Sequence, residues 1–148
     1  MENQKYKQTE EALAEIYRNA QLALVSISDI LPSVEDEDIK RELHLQHEEY
    51  ERFSANAAML ARDKGLELKE PNPIKKAMMW GSIKMSTLTD NSRSHIAEMM
   101  VQGTVMGITA LRSTEGELSP EGNEEILSLI REMIEREEEF EKKWKSYL

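Results

Sequence analysis

Apolar residues recur alternately four and three positions apart along most of this chain. The first series is Leu13, Tyr17, Ala20, Leu24, Ile27 and Leu31. The second is Ile39, Leu43, Gln46, Tyr50, Phe53, Ala57 and Leu60, and the last is Ile126, Ile130, Met133, Glu137, Phe140, Trp144 and Tyr147. On an α-helix this spacing gathers the side chains on one face; on a strand it scatters them over both. Runs of alternating strand character are nearly absent, so the expected class is all-α.

Punctuation sets the boundaries. Pro32 closes a first helix over about Thr9–Ile30, and Ser33 is the expected cap of a second over about Glu35–Lys64, stopped by Gly65. Asn72-Pro73 opens a short apolar helix over about Ile74–Thr87, which carries Met78, Met79, Trp80, Ile83 and Met85. Thr89–Ser92 is a cap-like break before a third main helix reaching about Arg112. Ser119-Pro120 starts the last, which runs to the C-terminus near Leu148. The third is apolar nearly all round from Ile96 to Leu111, so it is expected to be the most buried. Short links make the simplest arrangement an up-down four-helix bundle, with the extra short helix before the third main helix. Residues 1–148 form one domain on this reading.

Composition narrows the function. The net charge is −10, from 29 acidic and 19 basic residues, which argues against nucleic acid as a partner. No apolar run approaches the roughly 20 residues needed to span a bilayer. The N-terminal MENQKYKQTEE lacks a signal-peptide core, so a cytoplasmic location is expected. With no cysteine there is no thiolate ligand and no thiol nucleophile. No G-x-S-x-G, Walker or Rossmann pattern occurs, and the expectation leans away from an enzyme. In the last helix, Glu138/Lys142, Glu139/Lys143 and Glu141/Lys145 have the four-residue spacing of solvated ion pairs.

Three stretches carry a resemblance: QHEEYERFSANAAMLARDKG, MMWGSIKM and DNSRSHIAEMMVQGTVMGITAL. With them the chain, from about Glu15 onward, resembles a bacterial ferritin-like four-helix-bundle family that has no assigned activity. The resemblance implies the bundle fold. Metal-binding ferritin-like proteins place carboxylates on two helices and Glu-x-x-His on the other two. This chain contains no Glu-x-x-His: three residues before His44, His47 and His95 stand Arg41, His44 and Ser92. It therefore lacks the conventional di-iron ligand set, and no cofactor is expected. The alternative is iron or another divalent metal at an atypical buried set of Glu98, Glu137 and His95, lined by Gln102. Those same residues are more simply read as satisfied polar core groups or as an answer to the helix dipole. His44 and Glu48, four apart, form a surface pair able to grip a stray ion, with His47 at the edge of the apolar stripe.

Two features point to contacts. Methionine clusters at Met78, Met79, Met85, Met99, Met100 and Met106, as core filler or as an adaptable surface. Gly103 and Gly107 put a notch on the third helix. Its expected filler is Trp80 or Met79, or the same helix of a second subunit. Helix-face association, as a homodimer or with another protein, is the expected mode of action.

Overall fold

The computed structural model describes the backbone of residues 2–68 and 90–148, with side chains from residue 8 onward. Four α-helices form among the described residues: α1 (Glu2–Ile30), α2 (Glu37–Asp63), α3 (Arg93–Glu117) and α4 (Glu124–Lys145). No strand is present among them, and none of these helices is long and apolar enough to cross a membrane. The short helix expected over 74–87, with Trp80 and four apolar neighbours, lies outside the described residues.

Local chemistry moves several expected boundaries. Strong helix formers before Thr9 carry α1 back to Glu2. Pro32 sits in a 3-10 turn, Leu31–Ser33. Asp36, not Ser33, caps α2, its carboxylate accepting from the amides of Asp38 and Ile39. Gly65 ends α2 as expected, at φ 70°, and the amides of Gly65 and Leu66 donate back to the carbonyls of Arg62 and Ala61. Ser92 caps α3, which runs past Arg112 to Glu117. Ser119-Pro120 does not start α4: Gly122 at φ 78° interrupts, and the helix begins at Glu124. Asn123 is tied down there, accepting from the Thr9 hydroxyl at 2.7 Å and donating to the Ser119 carbonyl at 2.9 Å.

Side-chain contacts give the topology. Gln21 meets Ser54 and Ser28 meets His47, so α1 and α2 are antiparallel. Arg112 meets Glu138 and Arg131 meets Glu115, so α3 and α4 are antiparallel. Arg52 meets Glu132 and Gln46 meets Trp144, which makes α2 antiparallel to α4. Arg93 holds Asp36 at 2.7 Å and Asp38 at 2.8 Å, and Asn91 donates to the Ser33 carbonyl, so α2 and α3 begin at the same end. They are therefore parallel, and simple up-down alternation is corrected to up-down-down-up. A short link cannot join two parallel helices: the chain leaves α2 at one end of the bundle and enters α3 at the other. Parallel helices occupy the diagonals, and every neighbouring pair is antiparallel.

The interior follows the sequence stripes closely in α2 and α4. Ile39, Leu43, Gln46, Tyr50, Phe53 and Ala57 are buried on α2; Ile126, Ile130, Met133, Glu137, Phe140 and Trp144 are buried on α4. In α1 the centre of the face is Ile16, with Tyr17 and Leu24 only partly covered. α3 departs most, burying only Ile96, Ala97, Thr104, Ile108 and Leu111. Of the sequence's lysine pairs in the last helix, Lys145–Glu141 forms at 2.9 Å, while Glu138 turns to Arg112 and Glu139 to Arg136.

Trp144 and Gln46, buried polar groups of α4 and α2, are matched to each other. The Trp144 indole donates to the Gln46 side-chain carbonyl at 3.0 Å, and the Gln46 amide donates to Glu42 at 3.0 Å. Orphaning one buried partner costs about 1–3 kcal/mol, whereas removing both is cheaper. Gln46→Leu and Trp144→Phe should therefore each destabilise, and the double variant should lose less than their sum. A urea double-mutant cycle measures the coupling; strict additivity would show that the pair contributes nothing.

Candidate functional site around Glu137

Glu137 stands between Met133 and Phe140 on the inward stripe of α4, and its side chain is fully buried. Three other helices supply its surroundings. From α1, the Asn19 amide donates to the Gly107 carbonyl of α3 at 3.1 Å. From α3, Gly107 presents bare backbone: a Cβ there would lie 2.7 Å from Glu137 Oε2 and 2.8 Å from Asn19 Oδ1. From α2 comes Tyr50, its ring 5.6 Å from that of Phe140. The carboxyl thus fills the notch in α3.

Electrostatics follow from this enclosure. Burial pushes the Glu137 carboxyl up to about 8, and nearby Asn19 offsets only part of the rise. Neither carboxyl oxygen has a hydrogen-bond partner of ordinary geometry among the described residues. Tyr50 is likewise raised well above its usual 10, by burial first and then by the charge Glu137 would carry. Glu137 is accordingly protonated at neutral pH, a neutral acid able to donate one hydrogen bond to a group placed beside it.

The other sequence candidates lie elsewhere. Glu98 is exposed, so it is not the second buried carboxylate, and desolvation rather than a shared proton accounts for Glu137. Along α3 it stands nine residues, about 13.5 Å, from Gly107. His95 is half-buried, with Nε2 buried and unpartnered, and lies about 18 Å along α3 from Gly107. Gln102 is exposed. Glu98, Glu137 and His95 are therefore not brought to one point. His44 and Glu48 are exposed on α2, as their place off the stripe requires. His47 is engaged at both nitrogens, with Glu51 at 2.7 Å and Ser28 at 3.3 Å. Among the described residues no three His, Asp or Glu side chains gather tightly enough to hold a metal ion.

The notch also corrects an expectation. Its occupants are Glu137 and Asn19, and only Gly107 makes the close approach; around Gly103 there is open space among the described residues. Trp80 and Met79 lie outside those residues. Asn19 escaped the sequence reading because it flanks the α1 stripe at Ala20 without belonging to it.

Two outcomes follow. In the unfolded chain Glu137 titrates near 4.5, against about 8 when folded. Between these values the unfolded state loses a proton that the folded state keeps, so the contribution of Glu137 to stability is fully present below about 4.5 and falls as pH rises towards about 8. The slope is about 1.4 kcal/mol per pH unit, or about 3 kcal/mol by pH 7. Glu137→Gln should remove this loss and be the more stable protein at pH 8, read from urea midpoints across pH; identical profiles for the two proteins would refute the buried acid. Gly107→Ala gains about 1 kcal/mol of helix propensity but should lose more, about 1–3 kcal/mol, to overpacking against Glu137. On a Glu137→Ala background the same change should cost less, because only the Asn19 contact then remains, a difference visible in thermal melts.

In comparisons with known proteins the chain matches no family model, no curated protein and no solved structure, so what the site does has to be argued from its own residues.

Proposed function

We propose that this chain is a ferritin-like bundle that works without a conventional di-iron centre and acts through contact between one of its helix faces and a second copy of itself. The observation that carries this reading is the outer face of α3. No charged residue occurs between Glu98 and Arg112, in a protein whose net charge is −10. Over that stretch Gln102, Gly103, Val105, Met106 and Thr109 face solvent, with Met106 69% exposed and Val105 40%. A lone exposed apolar residue means little, but a helix face without charge suits protein contact. A second copy is the favoured partner because a face lacking charge is spared the repulsion that two such acidic molecules meet elsewhere.

The connection between parallel α2 and α3 supports the ferritin-like part, since that fold joins its two antiparallel helix pairs by one long crossover. The donor set supports the rest. Two iron ions ask for about four carboxylates with imidazoles to complete the shell. The inward positions of α2 and α4 instead carry Tyr50, Phe53, Phe140 and Trp144, with Glu137 as the buried carboxyl. The alternative, an atypical iron or divalent-metal set, needs Glu98, Glu137 and His95 together, and they stand at different levels of the bundle.

Sedimentation equilibrium tests the proposal directly. The wild type should show a concentration-dependent monomer–dimer equilibrium, and Met106→Glu should be monomeric, with the melting temperature of the wild type at dilutions where that too is monomeric. Dimerisation indifferent to Met106→Glu would place the contact elsewhere. After Fe(II) loading and dialysis, one or more irons retained per chain would overturn the non-metal reading.

A further inference from the structure

We infer that the second copy docks on α3 in antiparallel orientation, about a two-fold axis passing close to Val105 and Met106; this rests on the reading of α3 as the contact face and adds its polarity and register. The exposed residues Glu98, Gln102, Val105, Thr109, Arg112 and Gly116 are spaced four, three, four, three and four. That is the spacing of a helix-pair seam turned towards solvent, with Val105 as its apolar centre and polar residues at its rims. Met106 flanks its centre. Gly103 borders it too, where open space would let a neighbouring helix come close.

Charge decides between the two orientations. Glu98 lies seven residues before Val105 and Arg112 seven after it, each about 10.5 Å along the axis. A two-fold centred at Val105 brings Glu98 of each copy level with Arg112 of the other, at both rims of the uncharged stretch. Parallel pairing would instead set Glu98 against Glu98 and Arg112 against Arg112. Like charges across a contact select against that arrangement. Arg112 already meets Glu138 of its own chain, and a guanidinium has donors enough for both carboxylates. The antiparallel contact is isologous, so it closes at two copies and leaves no open end for a fibre. A single helix pair buries less than the about 1,600 Å² of a standard interface, so the dimer should be reversible.

The chain contains no cysteine, so single cysteines report the register without background. Under mild oxidation Val105→Cys should yield a covalent dimer, because the two copies of that position meet at the axis. Glu98→Cys alone should not, since its two copies would stand about 21 Å apart along the helix axes. An equimolar mixture of Glu98→Cys and Arg112→Cys should yield the mixed dimer. Efficient self-linking of Glu98→Cys would overturn the antiparallel inference while leaving α3 as the contact face. If the wild type sediments as a dimer but Val105→Cys does not cross-link, another surface makes the contact and both readings fall. A wild type that stays monomeric at every concentration overturns both as well.

Discussion

The arrangement turns on the shared end at which α2 and α3 begin. Asp36 caps α2 and at the same time holds Arg93, one residue beyond the Ser92 cap of α3. Arg93 also reaches Asp38 and stacks over the Tyr147 ring just beyond α4. Its guanidinium holds the Asp36 carboxyl below the usual carboxylate range. These groups are exposed, so their net contribution to stability is small. Burial of the apolar faces dominates the energy. Apolar burial is poor at choosing orientation, however, because a stripe of side chains packs much the same whichever way its helix runs. Directional contacts at the helix ends make that choice, and they make every neighbouring pair antiparallel.

Halfway along the bundle the constraint is different. Asn19, Gly107 and Glu137 bring α1, α3 and α4 into one contact, with Tyr50 of α2 beside it. An uncharged side chain of the same size would fold better there, because a carboxyl lifted to about 8 costs about 3 kcal/mol at neutral pH. Glycine at 107 adds a further loss of about 1 kcal/mol in helix propensity. Together these make the middle of α3 a costly place, set against the Trp144–Gln46 pair and the Tyr50–Phe140 contact between the neighbouring helices α2 and α4. Such local conflicts between residue and environment gather at functional or strained sites.

How far the sequence discloses this depended on what each face borders. The stripes of α2 and α4 are readable residue by residue, because one side meets core and the other meets water, and the two differ sharply in composition. In α1 the reading slips by one position at Tyr17, whose long side chain reaches the core edge from beside the face that Ile16 fills. α3 misleads more. Absence of charge suggests burial, but a helix face can lack charge and still face solvent, as Val105 and Met106 do. The inward position of Glu137 is legible from its stripe; the enclosure by other helices that raises its pKa is not. Glu98 faces solvent, and the cause is desolvation of the buried carboxyl. Which helix would fill the Gly107 notch depended on the diagonal placement of α1 and α4, and no local pattern encodes that.

α3 is therefore a thin element with two unlike sides. Its inner side at Gly107 touches the protonated acid and the Asn19 amide; its outer side, one and two residues earlier, is Val105 and Met106. Without a side chain at 107, the α3 backbone itself is the wall between the buried carboxyl and the outer face. Any displacement of that wall moves both surfaces together, since a helix shifts as a rigid unit over such a distance. The same glycine that admits the carboxyl thus fixes how far the outer face projects from the bundle. Close packing inside and availability outside are two consequences of one backbone position.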